Sequence, residues 1–320
     1  MTIIITGANR GLGFETALAL ASNHDHTIIL AGRDPQSLDE AVTSIQSKTK
    51  NKNLIPLPLD LASLDAVRQF VAAFEEQSLP PLKTILCNAG ITKNSIEARS
   101  IDGYELTFAI NHLGHFLLVL SLLKHLKSPA RIIMVSSGAH DSEQVQKPLQ
   151  PPRYVKADWL AHPEQDPDRP TNAKTAGGQA YASSKLCNVL FAYELSRRLD
   201  DHGFSTPNAP ITVNAFDPGL MAGTDLGRDN KGLMRFVWYR ILPLLSRFMP
   251  NGRSPQQSGA DLAYLATAEE LQGITGRYFS GRTQTLSAKE SHDLQKATDL
   301  WRTSVCLTQL NEADTIFSLP

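Results

Sequence analysis

Short β-branched runs alternate with helix-patterned stretches along most of the chain, and this alternation is the strongest constraint on the fold. TIIIT at Thr2–Thr6 reads as a buried strand, and FETALALAS, after a glycine-rich turn, as a helix. The pattern continues with a strand at His26–Ala31, a helix at Pro35–Lys48, a strand at Leu54–Leu59 and a helix at Ser63–Gln77. A strand at Thr84–Cys87, a helix at Gly103–Leu126, a strand at Arg131–Val135 and a helix at Tyr181–Leu199 follow. Ile211–Phe216 reads as the sixth strand and Gly276–Phe279 as the seventh. Such alternation predicts an α/β fold: a doubly wound parallel sheet of about seven strands with helices on both faces. No repeat or low-complexity linker divides the chain, so residues 1–320 are expected to form one domain. Two segments break the rhythm. Gly138–Gly178 is a long insertion rich in Pro, Asp, Gln and Lys, a length that in a compact domain usually serves function. Leu226–Arg253 is basic and aromatic.

Composition removes several function classes. The net charge is −1, so there is no global electrostatic basis for nucleic-acid binding. The 42% hydrophobic and 20% charged content is that of a soluble globular chain. Cys87, Cys187 and Cys306 lie far apart without CxxC spacing, which argues against a disulfide framework or a zinc site and suits a reducing compartment. MTIIITG enters a strand at once, without the charged and apolar regions of a signal peptide. No run of about 18 apolar residues suggests a membrane span. A cytoplasmic protein is expected.

TGANRGLG, Thr6 to Gly13, stands between the first strand and the first helix. Glycines there permit a tight turn and close approach of backbone to a pyrophosphate, and the helix N-terminus offers unpaired N–H groups and a positive dipole end. A glycine-rich turn alone is weak evidence; the strand–turn–helix setting strengthens it. The second strand ends at Gly32 and Arg33, with no carboxylate at the position that would bond a ribose 2′-hydroxyl. An arginine there accommodates a 2′-phosphate. Arg10, inside the turn, is a second candidate cation, and the pattern favours NADPH/NADP+ over NAD. The alternative is two solvated surface arginines. Asp60, with Leu61 beside it, follows the third strand and could accept a hydrogen bond from an adenine amino group. It could equally cap the next helix, and the two roles are compatible.

Tyr181 and Lys185 are four apart and share a helix face. Alone they would be an ordinary half-buried polar pair. They do not stand alone. Cys87-Asn88-Ala89-Gly90 ends the fourth strand, Asn111 lies in FAINHLGHF, Ser136-Ser137 ends the fifth strand, and Asp217-Pro218-Gly219 the sixth. Together with TGANRGLG and YASSK, this set resembles the short-chain dehydrogenase/reductase family in order, spacing and position, over roughly residues 1 to 285. The resemblance implies a Rossmann-like sheet and an NAD(P)-dependent oxidoreductase. By the same resemblance Tyr181 is the proton donor in reduction, and Lys185 both tunes it and bonds the nicotinamide ribose. Ser137 would hydrogen-bond the substrate oxygen, and Asn111 would hold a water-linked proton relay. Gly7, Asn9, Arg10, Gly11, Leu12 and Gly13 would surround the phosphates, and Asn88, Ala89 and Gly90 the adenosine ribose. Pro218, Gly219 and Thr224 would approach the nicotinamide end. The serine pair could instead satisfy loop amides, and Asn111 could kink its helix through a structural hydrogen bond.

The chemistry explains why these residue types belong together. Carbonyl reduction needs a hydride at carbon and a proton at oxygen. A free phenol has a pKa of about 10, too high for facile exchange at neutral pH. The ammonium of Lys185 and an oxidised nicotinamide are expected to lower it by about 3 units, roughly 4 kcal/mol in favour of the ionised form. His112, His115 and His140 lie near the site in sequence without metal-ligand spacing, so no metal is expected and they are read as structural.

Within the family, the long insertion and YASSKLCNVLFAYELSRRL resemble retinol-dehydrogenase-type enzymes and, more closely, the light-dependent protochlorophyllide reductase branch. Ser137 to Tyr181 spans 44 positions, near that branch's spacing. However, Leu220 stands where true members of the light-dependent branch have cysteine after Pro-Gly, and Cys187 reads as a small packing residue. A dark carbonyl reductase, reversible as an alcohol dehydrogenase, is the leading expectation. A light-dependent double-bond reductase and a non-catalytic NADP(H) sensor are the alternatives. Phe236, Trp238, Tyr239, Leu242 and Phe248 point to a lid at 226–253 over a bulky hydrophobic substrate. The same character suits peripheral membrane contact, though Pro243 interrupts an interfacial helix. Monomer and homodimer both remain open.

Overall fold

The computed structural model describes residues 1–143, 145, 150–221 and 252–318. The expected lid at 226–253, apart from its last two residues, and Thr224 lie outside the described residues. One sheet organises the chain: β1 (Thr2–Thr6), β2 (Thr27–Gly32), β3 (Leu54–Pro58), β4 (Leu82–Cys87), β5 (Leu126–Val135), β6 (Ile211–Asp217), β7 (Tyr278–Ser280) and β8 (Thr283–Thr285). Their order is β3-β2-β1-β4-β5-β6-β7-β8. Seven strands are parallel, and β8 pairs antiparallel with β7 as an added edge. That eighth strand was not expected: its sequence is TQT, wholly exposed, with no apolar signal to read.

Period-two alternation sorts the strand residues between two cores. Ile4, Ile29 and Ile85 face one side with helices α3 (Leu64–Glu75), α5 (Gly114–Leu122) and α7 (Ala173–Asp201). Ile3, Ile5, Ile28 and Leu30 face the other, under α1 (Gly11–Ala21), α2 (Pro35–Thr49) and α8 (Pro255–Thr267). A last helix, α9 (Leu294–Thr308), closes the first side. Its Trp301 is 2% exposed and stands edge-on to Phe116 with ring centroids 5.3 Å apart.

Two helices differ from expectation. Gly103–Leu126 is not one α-helix. A single turn, α4 (Leu106–Phe108), passes into a π-helical turn at Ala109–Leu113, then α5, then a 3-10 turn at Leu123–His125. The Leu106–His125 segment is long and apolar enough to cross a membrane, but 89% of it is buried inside the fold. The second difference is the start of α7, at Ala173 rather than Tyr181, with the Asn172 side chain accepting from Thr175 N. Gly177 allows this extra turn to lie on the chain after β4: a Cβ there would stand 2.2 Å from the Lys93 carbonyl oxygen. The expected insertion therefore ends in helix, and it also carries the short helix α6 (Ala157–Ala161).

The strand order has one reversal. From β1 the chain moves outward to β2 and β3, then returns to place β4 on the other side of β1. The turns after β1 and β4 diverge at this point, leaving a crevice at the C-terminal strand ends where ligands bind in open α/β sheets.

Candidate active site

The turn after β1 is held from below. Thr6 Oγ1 accepts from the backbone N–H of Asn88 at 2.8 Å and of Ala89 at 2.9 Å. The Asn88 amide donates to the carbonyls of Thr6 (2.7 Å) and Gly7 (3.3 Å). Asn88 thus clamps the β1 and β4 turns together, a role its sequence motif did not disclose. Gly7 and Gly11 have φ of +65° and +57°, the left-handed region that suits glycine. At Gly13 a Cβ would meet the Gly7 carbonyl oxygen at 2.4 Å, whereas at Gly11 nothing lies within 4 Å. Leu12 is mostly buried, and its side chain serves the core. The N-cap of α1, Arg10, makes no side-chain cap hydrogen bond, in contrast to α2, α3, α7, α8 and α9. The first N–H groups of α1 thus receive no side-chain cap from Arg10, and the Cβ position of Gly11 beside them is open. A dinucleotide pyrophosphate fits this cradle: no Cβ obstructs it, and the donors and dipole end it needs are present.

At the end of β2, Arg33 is exposed and Asp34 is committed elsewhere, accepting from Ser37 N at 3.3 Å to cap α2. The Asn9 side chain reaches the same strand end, 3.6 Å from where a Cβ on Gly32 would stand. Asp60 accepts from Ala62 N at 3.0 Å, so it shapes the turn into α3, while Ser63 provides the cap. Leu61 is 6% exposed and belongs to the core; its carbonyl lies against Gly114.

The candidate catalytic side chains meet past β4 and β5. Asn111, fully buried in the π-helical turn, donates to Ile91 O (3.0 Å) and to Ser184 Oγ (2.9 Å), and accepts from Ile91 N (2.8 Å). Extra residues in a helix of this kind often mark functional positions. Ser184 donates on to the Tyr181 carbonyl at 2.7 Å. Lys185 Nζ donates to Val135 O at 3.1 Å and lies over the Tyr181 ring, 5.7 Å from its centroid. A Cβ on Gly90 would be 3.3 Å from Asn111 Oδ1 and 3.4 Å from Lys185 Nζ, so this glycine leaves the approach open. Of the serine pair, Ser136 is buried and donates to Lys185 O at 2.8 Å, while Ser137 is half-buried and interacts with the Tyr181 side chain.

The protein's own groups do not lower the Tyr181 pKa. Burial pushes it up to about 12, with only Ser137 opposing. Burial also brings Lys185 down to about 8, which the nearby Asp217 partly resists. The rise at Tyr181 belongs to the protein alone, whereas the expected fall also counts the charge of an oxidised nicotinamide. A neutral phenol at pH 7 is nevertheless the protonation state that a proton donor requires.

A family model for the short chain dehydrogenase matches residues 1–148. Human retinol dehydrogenase 13 is 37% identical over 323 residues, covering all of this chain and 87% of that protein. The chain belongs to the short-chain dehydrogenase family. It lies on the retinol-dehydrogenase-like side of that family. The WW domain-containing oxidoreductase of Danio rerio is also 37% identical, over 309 residues, 96% of this chain and 68% of that protein. Among solved structures, L-sorbose reductase from Gluconobacter frateurii, complexed with NADPH and L-sorbose, superposes with a TM-score of 0.61. It shares 19% identity and covers 89% of this chain and 97% of its own, a likeness of fold.

In this short-chain dehydrogenase the three histidines are core residues with defined partners. His115 Nε2 meets Thr6 Oγ1 at 2.9 Å and His112 Nε2 meets Ser304 Oγ at 2.9 Å. Burial holds them at pKa values of about 4 and about 3 respectively. Among the described residues no group of His, Cys, Asp or Glu is arranged to hold a metal. Cys187 is fully buried and packs with Leu186, Leu190 and Tyr154. Burial raises its thiol pKa and that of Cys87. Pro218 and Gly219 are fixed from two sides. Pro218 O accepts from Ser258 Oγ at 2.7 Å, and Gly219, at φ +77°, donates its N–H to Asp217 Oδ1 at 2.9 Å. Two side-chain roles escaped the sequence reading: that of Ser184, the bridge from Asn111 to the Tyr181 backbone, and that of Asp217, whose charge acts on both Tyr181 and Lys185. Ser184 lies inside YASSK, where no spacing rule separates it from Ser183.

Proposed function

We propose that this enzyme is an NADPH-dependent reductase of a carbonyl on a bulky, largely hydrophobic small molecule, reversible as an alcohol dehydrogenase. The observation that carries the reading is the meeting of Asn111, Ser137, Tyr181 and Lys185 past β4 and β5, beside the glycine turn. NADPH, when bound, supplies the hydride. Tyr181 gives its phenolic proton to the substrate oxygen, and Ser137 Oγ orients that oxygen. Lys185 holds positive charge beneath the phenol and reaches toward the nicotinamide ribose. The Asn111–Ser184 bridge fixes the turn of α7 that carries Tyr181. Residues 1–320 act in this reading as one unit, with the 138–178 insertion and the 226–253 segment framing the substrate. The hydrophobic substrate rests on the aromatic content of the latter segment, and a cytoplasmic setting on the three free thiols.

The test is NADPH consumption in darkness against bulky aromatic, terpenoid and steroid ketones and aldehydes. Dark turnover is expected; turnover only under illumination would move the assignment to double-bond reduction by light.

Arg33 is proposed to hold the 2′-phosphate, since it is exposed at the end of β2 while Asp34 is occupied as a cap. Arg33→Ala should weaken NADPH by about tenfold or more and NADH by less than about twofold, in line with about 1.5–3 kcal/mol for a charge-assisted hydrogen bond. Fluorescence titration with both cofactors checks this, and equal losses would remove the role.

The pH dependence has a defined sign. Lys185 loses its charge above about pH 8, whereas Tyr181 keeps its proton to about 12. For carbonyl reduction, kcat/KM for NADPH should fall above about 8, because this ratio reports groups of the free enzyme. A profile that stays level to pH 10 would detach the reaction from Lys185.

A further inference from the structure

His140 has both ring nitrogens engaged by groups whose roles are fixed. It ends the 3-10 turn Gly138–His140 directly after the Ser136-Ser137 pair and is 2% exposed. Nδ1 is 2.8 Å from the Ser137 carbonyl oxygen, which can only accept, so Nδ1 carries hydrogen. Nε2 accepts the Ala288 N–H at 3.0 Å, so Nε2 is bare. One neutral tautomer makes both bonds, and neither the protonated ring nor the other tautomer can. The ring also packs on Tyr278, centroids 4.7 Å apart, with the Tyr278 hydroxyl 3.4 Å from Nδ1. Ala288 is itself anchored: it is 4% exposed, and its carbonyl accepts from Ser291 Oγ at 2.6 Å.

The far end of this bridge is Ser137. Its carbonyl accepts twice from His140, from Nδ1 and from the backbone N–H at 3.0 Å. Ser137 Oγ also accepts from the loop amide of Ala139 at 3.3 Å, inside the same turn, and Gly138 between them is exposed and adds no side chain. Fixing the Ser137 carbonyl fixes the backbone that aims its side chain. We propose that His140 is a positioning residue: through its imidazole the Ala288 segment sets the orientation of Ser137, so that Ser137 Oγ faces Tyr181 and the substrate oxygen. This inference rests on the reading of Ser137 as the substrate-facing serine.

The charged and titratable groups facing the ring are Asp141, Asp217 and Tyr278. The two carboxylates favour protonation, but burial dominates and holds the pKa below its ordinary 6.5. Protonation would place a hydrogen on Nε2 against the Ala288 N–H, donor against donor. Activity should therefore fall on the acid side, below 6.5.

His140→Phe and His140→Gln in the full chain, compared with the wild type at saturating NADPH, test the bridge. Phe keeps the ring and loses both bonds; kcat should fall about tenfold or more, with NADPH affinity within about twofold, as expected for a misaimed group. Gln carries both a donor and an acceptor, so it should recover most of kcat and lack the acid limb. Long-range nitrogen–proton spectra of His140 in the wild-type protein should show the neutral Nδ1–H tautomer at pH 7, whatever the turnover. Turnover of His140→Phe within about twofold of wild type, a Gln variant no better than Phe, or an Nε2–H tautomer would each overturn the proposal. A wild type without carbonyl turnover would instead refute the proposed reaction, leaving the spectra to decide the bridge.

Discussion

Replacing Tyr181 with phenylalanine should lower carbonyl turnover by about 10²–10⁴-fold, the range for loss of a positioned general acid, while NADPH binding stays within about twofold. The ring is retained, so its contact with Lys185, 5.7 Å from the centroid to Nζ, survives. What is lost is the hydroxyl and its interaction with Ser137. Stability should change by only about 1 kcal/mol, the usual net worth of one hydrogen bond. The measurements are single-turnover NADPH oxidation in the presence of the best carbonyl substrate and cofactor titration by fluorescence. A loss below tenfold with intact binding would mean that the proton comes from elsewhere. Equal turnover in both proteins would favour a cofactor sensor whose Tyr181 has no chemical task.

The parallel core was legible because buried strands are continuous apolar runs. TIIIT at β1 and RIIMV at the end of β5 need no context to be read. Where polarity interrupts the run, the reading stopped short. β5 begins at Leu126, five residues before the expected start, because Lys127, Ser128 and Pro129 do not look like a strand. The start of α7 was hidden for a related reason. Gly177 and Gly178 are poor helix formers, yet the close approach to Lys93 that Gly177 permits makes helix the favoured state there. The π-helical turn around Asn111 has no sequence period of its own to announce it.

At the site, residues were easier to name than their partners. Tyr181, Lys185, Asn111 and Ser137 stand in a recognisable order, but the bonds that aim them join remote segments. In sequence Asn88 reads as part of a ribose wall, and its side chain also clamps Gly7, 81 positions away. His140 looked like an ordinary core histidine, and only the fold brings Ala288 to its second nitrogen. The Tyr181 environment was only partly legible, because the sequence displays the charges around a group but not the water taken from it. Burial in the protein alone pushes the phenol up to about 12, and the expected fall draws on the charge of the oxidised nicotinamide as well as on Lys185.

Gly13→Ala and Gly11→Ala should separate the two demands placed on the glycine turn. A Cβ at Gly13 would stand 2.4 Å from Gly7 O, 2.6 Å from Asn88 Nδ2 and 3.0 Å from Ala8 Cα. Two of these three are backbone atoms, and the third belongs to the amide that ties β1 to β4. None can yield without opening the turn, so Gly13→Ala should destabilise the protein by about 1–3 kcal/mol, as overpacking does. NADPH affinity should fall with it, because the clamp that shapes the cradle is displaced. At Gly11 the space is open, and the only cost in the free protein is φ of +57°, about 1–2 kcal/mol for a residue with a Cβ. That methyl group would project where the pyrophosphate is proposed to lie. Gly11→Ala should therefore lose NADPH affinity out of proportion to its fall in melting temperature, whereas Gly13→Ala should lose both. Thermal melts of the free proteins, set beside NADPH titrations, give the comparison. A Gly13→Ala protein that melts and binds like the wild type would mean that the β1 turn has more slack than its contacts allow. A Gly11→Ala protein with unchanged affinity would place the phosphates away from this helix end.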